Sequence, residues 1–131
     1  NKLAKKIILY GEGVEENMKI ALPVAGEQLC LHFGHCEKFC FYEVDPDAKK
    51  IIKTEMMDAP PHEPGLLPRL LSEKGVDVVI AGGMGMRAQQ LFNQNGVKVV
   101  TGADPSGGGM EEIVMSYLNG SLQTGANPCS H

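Results

Sequence analysis

The spacing of apolar and polar residues changes several times along the chain, and each change marks an element. Residues 20–24 form a short apolar run of the kind that makes a buried strand, and Pro23 near its end predicts that pairing finishes there. In residues 39–44, Phe39, Phe41 and Glu43 alternate with Cys40, Tyr42 and Val44, which predicts a strand with one apolar face. Asp45-Pro46-Asp47 then turns the chain, and residues 50–56 return as the second arm of a hairpin.

Beyond a proline-rich loop at 59–65 the period becomes helical. Leu66, Leu67, Leu70 and Leu71 fall on one helix, with Pro68 in its first turn. Gly75 stops that helix, and residues 76–81 are an unbroken apolar strand of the buried, parallel kind. Gly82-Gly83-Met84-Gly85 leads into a second helix with Ala88, Leu91 and Phe92 on a shared face, closed by Asn95-Gly96. Residues 97–101 make the last strand. Gly107-Gly108-Gly109 opens a third helix with Ile113, Val114 and Tyr117 inward, and Asn119-Gly120 ends it.

The predicted order is therefore three strands, then helix, strand, helix, strand, helix, an α/β fold on a five-stranded mixed sheet. Three segments result: an extension at 1–17, read as a leader, alternative start or added stretch; a domain at 18–122; and a polar, flexible tail at 123–131. If the first strand runs upward, the hairpin sends the second down and the third up, and each helix returns the chain so that later strands also run upward. Loops 25–37, 57–65, 82–86 and 102–109 then share one edge, at the carboxyl ends of the strands, where open α/β sheets bind ligands.

Composition narrows the function. With 131 residues, 43% of them hydrophobic and 21% charged, the chain suits one ordinary soluble domain, and no apolar run is long enough to cross a bilayer. A net charge of −4 without a basic patch argues against nucleic acid. The cysteines are not spaced as a disulfide framework and no export signal is evident, which favours a reducing cytoplasm.

The candidate chemistry lies in the first of the shared loops. Cys30, His32, His35 and Cys36 place four soft or borderline donors within seven residues, suited to zinc, copper(I) or iron–sulfur chemistry. His62, from the neighbouring loop, is a further candidate ligand. The turns Gly82-Gly83-Met84-Gly85 and Gly107-Gly108-Gly109 each join a strand to a helix, so their amides and the helix ends can receive an anion, with Arg87 adding positive charge. Neither turn is a Walker motif or a dinucleotide fingerprint. An anionic metal–sulfur cluster would satisfy both halves of such a site. Ordinary structural roles are expected for Phe33, a core plug, for Gly34, a backbone necessity, for Cys40, a small buried hydrophobe, and for Met84 and Met86, which should pack. Cys129 and His131 form an extra donor pair in a tail expected to start from the opposite edge.

Several segments carry a family resemblance: His32-Phe33-Gly34-His35 followed by residues 39–43; Gly75-Val76-Asp77-Val78-Val79-Ile80; Gly82-Gly83-Met84-Gly85 with Arg87-Ala88; and Tyr117-Leu118-Asn119-Gly120. From Met18 to about Leu122 the chain resembles the nitrogenase iron–molybdenum cofactor biosynthesis proteins, the NifX-like and NifB C-terminal domains. The resemblance implies a ribonuclease-H-like α/β/α fold and binding or carriage of iron–sulfur or molybdenum-containing clusters; the open, loop-built site adds the expectation of a non-catalytic carrier between donor and acceptor proteins. Cys30 and Cys36 stand where many relatives carry non-thiol residues, so they would give this member a metal site of its own. The alternatives are a zinc-binding structural or metal-sensing module and a thiol redox enzyme using Cys30 and Cys36, although these two lack Cys-x-x-Cys spacing.

Overall fold

The computed structural model describes residues 7–10, 13–26, 28–30, 36–60, 65–103, 109–122 and 124, the first two stretches up to residue 16 as backbone only. In chain order the strands are β1 (Ile7–Tyr10), β2 (Gly13–Glu16), β3 (Met18–Ala25), β4 (Gln28–Leu29), β5 (Lys38–Asp45) and β6 (Lys50–Asp58). Helix α1 (Leu66–Glu73), β7 (Val78–Ile80), α2 (Met86–Gln94), β8 (Lys98–Val100) and α3 (Met110–Asn119) follow. The segment expected to be an extension pairs with itself: β1 and β2 form an antiparallel ribbon separate from the main sheet.

The main sheet has six strands, one more than the pattern predicts. Five lie in the order β6-β5-β3-β7-β8, and the two-residue β4 pairs with the end of β3. β3 is antiparallel to β5 and parallel to β7, β5 is antiparallel to β6, and β7 is parallel to β8. The carboxyl ends of β3, β6, β7 and β8 therefore share one edge, as the strand directions predict. At the opposite edge Asp77 ties three strands together. Its Oδ2 accepts from the Lys19 amide at 3.0 Å, its amide donates to Lys19 O at 2.8 Å, and its carbonyl accepts from the Lys98 amide at 3.0 Å.

Helices cover both faces. On one, Leu71 of α1 and Phe92 of α2 pack with Ala21, Phe39, Phe41 and Val79; on the other, Ile113 and Val114 of α3 pack with Ile20, Leu22, Cys40, Tyr42 and Val44. β5 is thus buried on both faces rather than one, because it lies between β3 and β6 with helices above and below. Its fully buried Phe39 contributes on the order of 1.5–3 kcal/mol, as burial of a large apolar side chain does.

Pro23 does not end its strand. β3 continues to Ala25, with Pro23 opposite Phe39 and Val24 opposite Lys38. Pro23 O accepts from the Cys30 amide at 2.8 Å, so the polar groups of residue 23 face β4 rather than β5. The missing N–H falls where β7 has ended and β4 begins, and removes no bond to β5. The helix stops behave as their glycines predict. Gly75, Gly96 and Gly120 all have left-handed φ, and the following amides of Val76, Val97 and Ser121 reach back to Leu71 O, Phe92 O and Ser116 O. That six-to-one bond satisfies a terminal carbonyl and turns the chain away at once. Pro68 is the third residue of α1, where its amide would have had no partner within the helix.

Candidate functional site

The loop bearing the cysteines is anchored on both sides of the β3 end. Cys30 N donates to Pro23 O on the β4 side, and Glu37 N donates to Val24 O at 2.8 Å on the β5 side. The two ends of the loop therefore flank the end of β3, which puts Cys30 and Cys36 on either side of that strand at the shared edge. Cys30 is buried and Cys36 partly so, and Cys36 packs against the cluster that contains Ala81, Phe39 and Met84. Burial pushes the Cys36 thiol from the ordinary 9.0 up to about 11, and the negative charge of a nearby Cys30 thiolate adds to the effect. Cys30, Cys36 and Cys40 are thiols rather than disulfides.

Glu37, the residue after Cys36, is a clasp that sequence reasoning missed. Its Oε1 accepts from the Gly26 amide at 3.1 Å, its own amide holds Val24, and its carbonyl accepts from the Ala59 amide at 2.9 Å. One residue therefore ties the β3–β4 turn, the thiol loop and the exit from β6. The signal available was an acidic residue directly after the donor cluster.

The turn from β7 into α2 supplies the second half of the edge. Gly82 O accepts from the Gly102 amide at 2.8 Å, and Gln89 Nε2 holds Met84 O at 2.9 Å. Gly82 and Gly83 are buried, and Met84 packs fully into the core as expected, so this turn offers its backbone rather than the thioether. Met86 does not pack: it is 53% exposed. Gly85 is the N-cap in extended conformation with open space on its Cβ side, and Arg87 is exposed in the first helical turn, which holds no acidic residue.

The turn into α3 is not equivalent. Its first helical turn carries Glu111 and Glu112, and Glu112 Oε1 accepts from the Gly109 amide at 3.2 Å. This helix end is already answered by its own carboxylates. Past α3, the chain does not stay at the far edge. Thr124 bridges Ala103, just beyond β8, so position 124 has come back beside the site edge.

His32, His35, His62, Gly107, Gly108, Phe33, Gly34, Cys129 and His131 lie outside the described residues. Among the described residues no three Cys, His, Asp or Glu side chains converge as a metal site. Cys40 is the buried strand residue it was expected to be, hydrogen-bonded to the Tyr42 hydroxyl on the α3 face. Burial raises its thiol pKa, and it raises that of Tyr42 as well.

Residues 16–120 match the family described as dinitrogenase iron-molybdenum cofactor. The chain belongs to this family. An uncharacterized protein of Methanocaldococcus jannaschii is 30% identical over 109 residues, spanning 81% of this chain and 90% of its own. The crystal structure of PH0822 superposes with a TM-score of 0.73 at 27% identity, covering 82% of this chain and 94% of that one. The apo form of the orange protein from Desulfovibrio gigas shares the fold, with a TM-score of 0.64 at 24% identity over 85% of this chain and 95% of its own. Among the described residues no helix is long and apolar enough to cross a membrane.

Proposed function

We propose that the chain binds an iron–sulfur or molybdenum-containing metal–sulfur cluster and carries it between cofactor-assembly proteins, acting as a scaffold rather than a catalyst. The observation that carries this reading is that two thiols, Cys30 and Cys36, flank the end of β3 at the same sheet edge as the carboxylate-free, Arg87-bearing N-terminus of α2. Family membership supports it. Thiolate sulfur suits the metals of such a cargo, while amides of the Gly82-Gly83-Met84-Gly85 turn and Arg87 suit its negative charge. His32, His35 and His62 complete the proposed ligand set, with Gly107 and Gly108 contributing backbone from the neighbouring turn. We read the fold as ribonuclease-H-like, supported by three antiparallel strands followed by parallel strand–helix units. The place of work is the cytoplasm.

The two thiols fit a metal that enters and leaves. Burial holds Cys36 neutral without it, and a metal must displace that proton to bind. The site is made from loop ends and not from strand interiors, which suits transfer to a partner.

Metal and acid-labile sulfide analysis with an optical spectrum, on protein purified without oxygen, tests the reading. Iron or molybdenum with stoichiometric sulfide is expected, and the Cys30→Ser/Cys36→Ser protein should lose it. Zinc alone would assign a structural or sensing module, and disulfide reductase turnover a thiol enzyme. Unchanged cluster content in the double variant would sink the ligand assignment.

A further inference from the structure

We propose that β6 is a self-complementary edge through which two copies of this chain pair antiparallel into one continuous sheet. β6 ends the strand order, and among the described residues it pairs with β5 and with no other strand. It is nine residues long and mostly exposed, running Lys-Ile-Ile-Lys-Thr-Glu-Met-Met-Asp. A row of outward backbone donors and acceptors of that length is a template for another strand.

The order of residues says which strand. An antiparallel pair with Thr54 on the two-fold axis sets Lys53 opposite the partner's Glu55. The same register sets Ile52 opposite the partner's Met56. Around the axis Lys53 and Glu55 thus each meet the opposite charge, and Ile52 and Met56 each meet an apolar side chain, which are the cross-strand pairs that stabilise a sheet. Ile52 and Met56, exposed by 48% and 56%, are two of the three exposed large hydrophobics among the described residues, and this register covers both.

Lys53 and Glu55 already lie side by side on one strand, with Nζ and Oε2 3.8 Å apart. Their partner copies complete an alternating square of four charges around the axis. Lysines usually defend an edge strand against pairing. Here Lys53 is balanced by Glu55 in mirror order about Thr54, so the defence at the centre acts against other strands and not against this one. The bulge at Ile52, opposite the step from Glu43 to Val44, twists the first three residues. The centre at Lys53-Thr54-Glu55 is the regular part of the ladder. Because the strands run in opposite directions, the two thiol edges lie at opposite ends of the joined sheet.

A strand of about 30 Å buries less surface than a standard permanent interface, so the dimer should be weak and concentration-dependent. Sedimentation of the full chain, from about 10 μM to about 1 mM, should show monomer passing to dimer. Lys53→Glu alone and Glu55→Lys alone each put like charges across the axis twice, and each should raise the dissociation constant by about tenfold or more. An equimolar mixture of the two variants should restore dimerisation, since the glutamates of one then face the lysines of the other. Thermal melting of each variant establishes that it is folded. A wild-type chain that stays monomeric, single variants that dimerise like wild type, or folded variants whose mixture stays monomeric would each overturn the proposal.

Discussion

The turn into α2 and the turn into α3 leave the same sheet edge, and each closes on a glycine N-cap in nearly the same extended conformation, with φ −65° and ψ 156° at Gly85 and φ −74° and ψ 172° at Gly109. Their next residues differ. α2 continues Met86-Arg87-Ala88, and α3 continues Met110-Glu111-Glu112. Both helix ends carry the partial positive charge of unsatisfied amides. At α3 that charge is met from within, by Glu112 reaching back to Gly109. At α2 the first turn has no carboxylate, and Arg87 adds to the positive field. One backbone device therefore serves two ends: a closed cap at α3, and at α2 an end suited to an external anion.

Making α2 resemble α3 is the strongest way to break the contrast. Arg87→Glu replaces a charge that attracts an anionic cargo with one that repels it, and should weaken cluster binding about tenfold. The same change places a carboxylate near a helix N-terminus, so the cargo-free protein should melt at the same temperature or slightly higher. Binding and stability then move in opposite directions. A cluster titration paired with a thermal melt reads both, and unchanged affinity would remove α2 from the site.

The thiol pair beside α2 gives a second lever. Cys36 in the folded chain holds its proton up to about pH 11, whereas an ordinary thiol loses it near 9.0. Below pH 9 both folded and unfolded chains are protonated, and this contribution to stability is fully present. As pH rises toward 11 the unfolded chain ionises first, so the stability of the cargo-free protein should fall through that window. Cys40 and Tyr42 shift in the same direction and reinforce the fall. Denaturant midpoints at pH 8, 9, 10 and 11 measure it, and Cys36→Ser should flatten the slope. A midpoint that rose over this range would contradict the burial of these groups.

Most of the fold was legible because it depends on local signals. Gly75, Gly96 and Gly120 announce helix ends through their left-handed backbone, and the apolar run at Val78, Val79 and Ile80 announces a buried parallel strand. The shared edge followed from strand direction alone. What escaped depends on neighbours. Phe39 to Val44 reads as half-buried until β3, β6 and helices on both faces enclose it. Pro23 reads as a strand end until β4, which pairs through only two residues, takes the side where its amide is missing. Met86 is apolar enough to pack, yet the helix turns it outward. Cys30 and Cys36, the proposed donors, stood out because one loop carries both. The contrast between the glycine turns is present in the sequence as well, in Arg87 against Glu111 and Glu112.

Removing the closed cap at α3 is the smallest test and the most selective. Glu112→Ala deletes the acceptor 3.2 Å from the Gly109 amide and removes a favourable charge from the helix end. A loss of about 1 kcal/mol is expected, the usual worth of a cap. Over a domain of this size it should lower the melting temperature by only a few degrees. Cluster affinity should stay the same, because the exposed amides of α3 gain water and no metal donor is lost. If affinity instead rose severalfold, the α3 turn would be a second anion seat that Glu112 normally blocks. The contrast between the helices would then be one of occupancy rather than of design.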